Sequence, residues 1–213
     1  MEHLQGIPVS VIVLAGGYGR RMGGEKLFLE VNSVPLVLKV LRKVSRFSGE
    51  ILLSVAPRQT PYVSGMLSGI ISQYGLRLVE DRQEGEGPLA GILEGLKRAS
   101  LKWSFVCACD MPWISEAVVR TLWSCGTEDA DVVVPRIGGY FEPLHAFYSR
   151  ECIPAIERAV RSGERKITSF YDSVKVSAVD DVHFSHLPGY KKSFSNLNSR
   201  NDLLDPGNAH LFD

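Results

Sequence analysis

The residues best suited to handling charge lie in three short stretches. The first runs Leu14-Ala15-Gly16-Gly17-Tyr18-Gly19-Arg20-Arg21-Met22-Gly23-Gly24-Glu25-Lys26, with five glycines, two arginines and a lysine in the eleven residues from Gly16. Glycines let backbone N–H groups approach an anion closely, and Arg and Lys supply compensating charge, so this stretch predicts a phosphate-binding loop. It is not a G-x-x-x-x-G-K-[ST] loop, because Glu25 follows Gly24 and neither Ser nor Thr follows Lys26. Nor is it G-x-G-x-x-G, because Met22 stands where the third glycine belongs. The second stretch is Cys109-Asp110-Met111-Pro112, at the end of an apolar run. A carboxylate there is placed to hold Mg²⁺ that bridges nucleotide phosphates. The third is Glu80-Asp81, followed by Gly85-Glu86-Gly87-Pro88-Leu89-Ala90-Gly91. Gly87 precedes a helix start, where backbone donors and the positive dipole end favour anionic or acceptor groups.

These stretches need elements to position them. Val9 to Ala15 is nearly continuous and β-branched, as in a strand buried on both faces. From Pro35, Leu36, Val37, Val40, Leu41 and Val44 recur at helical spacing, with Asn32 or Ser33 ahead. Ile51 to Val55 and Leu76 to Val79 read as strands, and Tyr62 to Tyr74 as one helix weakened by Gly65 and Gly69. Pro88 opens a helix with Leu89, Ile92, Leu93 and Leu96 on one face. Trp103 to Cys109 is a fourth strand, in which Cys107 and Cys109 read as small buried thiols. Ser115 is expected to cap the next helix, striped by Val118, Val119, Leu122 and Trp123. Val132 to Val134 and Phe141 to Tyr148 follow as strands, then a helix at Glu151 to Arg161 and a strand at Val174 to Val179. Strand–helix alternation predicts an α/β layer fold with a mostly parallel sheet, whose ligands bind beyond the C-terminal strand ends. The loops after Ala15, Val79 and Cys109 are therefore the places for chemistry.

Composition narrows the choices. The 213 residues carry 24 Lys+Arg against 24 Asp+Glu, which argues against a mainly electrostatic nucleic-acid binder. A 45% hydrophobic content excludes disorder of the whole chain. No stretch approaches the ~18 apolar residues of a membrane span, and Met1 to Pro8 does not read as a signal peptide, so a cytoplasmic protein is expected. No repeat or linker is visible, and one domain spanning 1–213 is expected. His183 and His186 lack a clear partner set for a metal, Asp180 and Asp181 read as a polar surface turn, and Trp103, Trp113 and Trp123 as core or pocket wall.

The string L-A-G-G-x-x-x-R-M-G-x-x-K, the later G-P-L-A-G and the C-D-M-P together resemble the MobA family, the molybdenum cofactor guanylyltransferases. Glu142-Pro143-Leu144 before His145-Ala146-Phe147-Tyr148, and Asn196-Leu197-Asn198-Ser199 before Asp202-Leu203, agree with it, so the resemblance runs from about Val9 to Leu203. It implies a three-layer, Rossmann-like nucleotidyltransferase fold, with a GTP-binding part at about 8–112 and a pterin-binding part at about 131–203. By position it implies that Leu14, Ala15, Gly16 and Gly17 form the nucleotide-binding turn and that Arg21 and Lys26 bind the triphosphate. Asp81 matches a nucleotide-site acid, Gly87 and Gly91 the loop near the guanine, and Asp110 the Mg²⁺ ligand. Asn196 and Asn198 match a pair associated with the pterin, and Arg165 sits in a similar basic element. Two departures stand out: Ser54-Val55-Ala56-Pro57 lacks the Asn common after the second strand, and Ser199-Arg200-Asn201 replaces T-P-x.

The implied reaction joins GMP from GTP to molybdopterin and releases pyrophosphate, with Mg²⁺ as cofactor and Arg21, Lys26 and Asp110 as the catalytic set. Molybdoenzymes or their chaperones are the implied recipients of the product. Alternatives are a CTP-dependent enzyme acting on the same pterin, a sugar-phosphate nucleotidyltransferase, and a catalytically silent nucleotide-binding regulator.

Overall fold

The computed structural model describes residues 6–16, 30–31, 34–81 and 87–197. The chain opens with β1 (Ser10–Leu14), a small antiparallel ribbon of β2 (Glu30–Val31) and β3 (Val34–Pro35), α1 (Leu36–Val44) and β4 (Glu50–Val55). Next come α2 (Thr60–Met66), α3 (Ser68–Tyr74), β5 (Leu76–Glu80), α4 (Pro88–Arg98) and β6 (Trp103–Ala108). The second half holds α5 (Glu116–Cys125), β7 (Val132–Ile137), β8 (Tyr140–Phe141), β9 (His145–Ser149), α6 (Ile153–Arg161) and β10 (Val176–Asp180).

The main sheet runs β10-β7-β9-β6-β1-β4-β5, with β8 paired to β7. β1 lies parallel between β4 and β6, β4 is parallel to β5, and β10 to β7. Only β9 and β8 run against the rest. The chain leaves β1 toward β4 and β5, then returns across α4 to β6 on β1's other side. The strand order thus reverses at β1, and the crevice beyond its C-terminal end is where such sheets bind ligands.

Because alternate strand residues face opposite ways, the sheet has two cores. Val11, Val13, Ile51, Leu53, Phe105 and Cys107 pack with the apolar stripes of α1 and α5. Ile12, Leu52 and Val106 pack with α4 and α6 on the other face. Three layers result, with a mostly parallel sheet in the middle, as expected. The expected stripe of α1 is buried throughout, and each such aliphatic side chain is worth about 1.5–3 kcal/mol in removed apolar surface. Gly95 lets α4 lie close on β1: a Cβ there would come within 2.7 Å of Ile12 Cγ2.

Three expectations need correction. The helix read across Tyr62 to Tyr74 is two, α2 and α3, broken at buried Leu67 (φ −101°, ψ 9°). Gly65 and Gly69 flank the break and weaken helix continuity. The strand read across Phe141 to Tyr148 is also two, because Glu142-Pro143-Leu144 makes the turn between β8 and β9, closed by the His145 N–H to the Glu142 carbonyl at 3.0 Å. Pro143 has no N–H to give a ladder. Ser115 does stand at the start of α5, but its side chain makes no capping hydrogen bond. Cys107 is buried as expected, and burial pushes its thiol far above the usual range. Trp103 and Trp123, both partly buried, meet edge to face against the core. Among the described residues no helix is long and apolar enough to cross a membrane.

Candidate active site

Four strand ends, those of β6, β1, β4 and β5, lie side by side. The Ala15 N–H donates to the Ser54 carbonyl at 2.8 Å on one side, and the Leu14 carbonyl accepts from the Cys109 N–H at 3.0 Å on the other. One strand further out, the Asp81 N–H donates to the Val55 carbonyl at 3.0 Å. Thus the sheet ladder extends just past the regular strands and fixes the first residue of each loop. Gln59, fully buried, adds a staple: its Oε1 accepts from the Ala56 N–H at 2.8 Å and its Nε2 donates to the Ala15 carbonyl at 3.3 Å.

Asp81 sits among these loop starts. Ser54 Oγ donates to its Oδ1 at 2.5 Å. Glycines flank the carboxylate: a Cβ on Gly16 would collide with Oδ2, and one on Gly91 would come within 2.8 Å of Ser54 Oγ and 3.1 Å of Leu14 Cδ2. A helix-interior glycine costs about 1 kcal/mol relative to alanine, and this close approach of α4 is what Gly91 permits. Gly87 starts α4 at φ +84°, a conformation that L side chains rarely adopt. It packs on Arg165, whose Cβ would lie 3.4 Å from a Cβ at position 87.

Asp110 is buried beyond the end of β6, where the Met111 N–H turns back to the Ala108 carbonyl at 3.3 Å. The segment 192–197 lies over this turn. Lys192 stacks on Trp113 at 5.6 Å, the Ser115 N–H donates to Ser193 Oγ at 2.9 Å, and the Leu197 N–H donates to the Asp110 carbonyl at 2.8 Å. Phe194 meets the His145 ring at 4.7 Å, and Phe105 meets it at 5.0 Å. That burial pushes His145 down to about 3, so it is a neutral imidazole. Asn196 therefore lies next to the residue bonded to the Asp110 main chain.

Of the residues singled out in the sequence, Leu14, Ala15, Gly16, Asp81 and Gly91 meet in one cluster. Gly87 meets Arg165, and Asp110 meets the segment of Asn196. Gly17, Arg21, Lys26 and Asn198 lie outside the described residues. Sequence reasoning named Ser54 only as part of a departure and missed its bond to Asp81, and it missed Gln59 altogether. The signal for Ser54 was a hydroxyl interrupting the apolar run Ile51-Leu52-Leu53-Ser54-Val55; Gln59 gave none, since only the folded loops bring it to Ala15.

Comparison with known proteins identifies the family. Residues 11–178 match the MobA-like NTP transferase domain. The chain is 35% identical over 193 residues to a probable molybdenum cofactor guanylyltransferase of Pelotomaculum thermopropionicum, covering 91% of this chain and 89% of that one. It resembles the crystal structure of molybdopterin-guanine dinucleotide biosynthesis protein A from Archaeoglobus fulgidus, with a TM-score of 0.76, 28% identity, and coverage of 92% and 95% of the two chains. The inositol-1-phosphate CTP transferase of T. maritima has the same fold at 15% identity and a TM-score of 0.72, covering 98% of this chain and 96% of that one. The glycine-flanked strand ends, the match over most of the chain and the close relatives lead to one assignment: this chain belongs to the MobA-like NTP transferase family and is a nucleotidyltransferase.

Proposed function

We propose that the chain transfers GMP from GTP to molybdopterin, forming the guanine dinucleotide cofactor and releasing pyrophosphate. The observation that carries this reading is the Leu197–Asp110 bond. It sets the segment of Asn196 against the carboxylate turn of β6, one strand from the glycine-flanked end of β1. Two substrates can then meet at one strand end. The choice of guanine and of the pterin rests on the relatives named molybdenum cofactor guanylyltransferase.

A terminal phosphate oxygen of the pterin attacks the α-phosphorus of GTP, the bond to the bridging oxygen breaks, and pyrophosphate leaves. The nucleophile is already anionic, so positioning and charge stabilisation suffice. In this reading the backbone at Leu14 to Gly17 seats the nucleotide, and Arg21 and Lys26 balance charge on the departing phosphates. Gly87 and Gly91 lie along the base, with Arg165, Asn196 and Asn198 on the pterin side. Arg165 also packs on Gly87, so its backbone supports the base loop as well.

Asp110 suits a hard divalent cation. It offers carboxylate oxygen, and among the described residues no group of three or more His, Cys, Asp or Glu forms a cage. Mg²⁺ is usually held in this way, by one or two carboxylates together with substrate phosphates. Bound there, it would supply Lewis-acid charge at the phosphates.

The test is pyrophosphate release with GTP, CTP, ATP and UTP, each with and without molybdopterin. Release is expected with GTP and pterin together. A site built to pair guanine's donors and acceptors can reject another base by several kcal/mol, on the order of 10⁴ in the strongest cases. Equal or faster turnover with CTP would move the protein to the cytidylyl reading.

A further inference from the structure

The Ser54 hydroxyl belongs to no motif, yet it is buried and bonded to the Asp81 carboxylate at 2.5 Å. A hydrogen bond to a charged group is worth about 1.5–3 kcal/mol and fixes the plane of the carboxylate. The Asp81 main chain is fixed by Val55, and glycines 16 and 91 leave no Cβ to displace its two oxygens. Three strand ends and a helix thus agree on one orientation of one acid.

An ionised carboxylate only accepts hydrogen bonds, and it repels phosphate. Placed beside the nucleoside rather than at a bridging cation, it pairs with hydrogen-bond donors there. Guanine presents two adjacent donors, N1–H and the 2-amino group, which match the two oxygens of a carboxylate. Cytosine and adenine lack that pair. We propose that Ser54 is a specificity-determining positioning residue: through Asp81 it sets the carboxylate against the N1–H and 2-amino edge of guanine. This rests on the guanylyl-transfer reading above.

The experiment compares GTP, ITP and 2′-deoxy-GTP, measured as kcat/KM for pyrophosphate release with molybdopterin. ITP keeps N1–H and lacks the 2-amino group; 2′-deoxy-GTP changes only the ribose. The proteins are wild type, Ser54→Ala, Ser54→Thr, Asp81→Asn and the Ser54→Ala/Asp81→Asn pair. Ser54→Ala should lower the GTP-to-ITP ratio about tenfold, Ser54→Thr should restore it, and in the Asp81→Asn background Ser54→Ala should change it less than about twofold. A purely structural hydroxyl would lower Tm and slow all three nucleotides alike, leaving the ratio unchanged, and that result overturns the proposal. A change confined to the 2′-deoxy-GTP-to-GTP ratio also overturns it, because the acid would then face the ribose. Should Ser54→Ala not fold, Ser54→Cys, nearly isosteric with a weak donor, is read in the same way. Calorimetric binding of GTP and ITP to the same proteins separates the two readings. If wild type binds GTP without turning it over, guanylyl transfer fails, while the binding ratio still decides the role of Ser54.

Discussion

Two acids, Glu50 at the start of β4 and Asp81 just past the end of β5, have similar serine partners and different surroundings. At the N-terminal end, Glu50 accepts hydrogen bonds from Ser10 and from the N–H and hydroxyl of Ser100, and it pairs with Arg77. Burial alone would raise its carboxyl, but these hydrogen bonds and the arginine outweigh it and hold Glu50 below the ordinary range. At the C-terminal end, Asp81 accepts from Ser54 and is flanked by Gly16 and Gly91. The serine bond is common to both, so it is the surroundings that distinguish the two acids. The cation and extra donors make Glu50 a staple between strands, whereas at Asp81 two glycines leave room for the carboxylate against the backbone of β1 and α4. The difference also follows from where the strands point: the loops that leave their C-terminal ends are the ones that hold a ligand.

The largest expected effect lies at the C-terminal end. Asp110→Asn should lower turnover about 10²–10³-fold, as loss of one preorganised electrostatic stabiliser does, while GTP still binds. Steady-state kinetics in Mg²⁺ and a GTP titration measure both quantities; near-normal turnover of a folded variant would remove Asp110 from the chemistry.

Acid should loosen the same end. His145 has a folded value of about 3 against 6.5 for the free side chain, because burial among Phe105 and Phe194 disfavours its charge. Among the described residues neither ring nitrogen finds a hydrogen-bond partner. Its neutral form therefore contributes full stability above pH 6.5, and that contribution is lost as pH falls toward about 3. The loss is ~1.4 kcal/mol per pH unit at most. Denaturant unfolding at pH 7.5 and 5.0 should show wild type losing about 2 kcal/mol more than His145→Phe, which keeps the aromatic packing. Equal losses would mean that protons bind elsewhere.

Glu50→Gln sharpens the contrast from the other end. The pair with half-exposed Arg77 is screened, so a loss of about 1 kcal/mol in stability is expected, with kcat/KM for GTP within about twofold of wild type. An unchanged Tm together with lost activity would make the staple reading untenable. The smallest effect on GTP is expected on the proposed pterin side. Asn196→Ala with Asn198→Ala should weaken pterin binding and turnover while leaving GTP affinity within about threefold, under ~0.7 kcal/mol. If the pair instead melts much lower and binds pterin normally, its role is structural, and Arg165 and Lys166 become the next place to look for the pterin.

Much of this was legible in the sequence because the signals are local. The apolar spacing of Leu36 to Val44 and of Leu89 to Leu96 places two helices, and the β-branched run from Val9 places the strand that the glycine stretch leaves. The misreadings came where apolar pattern and chain direction separate. Leu67 is buried like a helix-stripe residue, though the helix breaks there. Leu144 continues an apolar run, though Pro143 has already turned it.

Local side-chain chemistry by itself determined the α/β layering, the strand-end location of the glycines and the acids, and the family resemblance, because periodicity and motif are properties of neighbouring residues. Only the tertiary structure decided which residues meet. Ser54 reaches Asp81 across 27 positions, and Leu197 lies far along the chain from Asp110. Those contacts depend on strand order and on how closely α4 can approach β1, and no single stretch of the chain encodes either one.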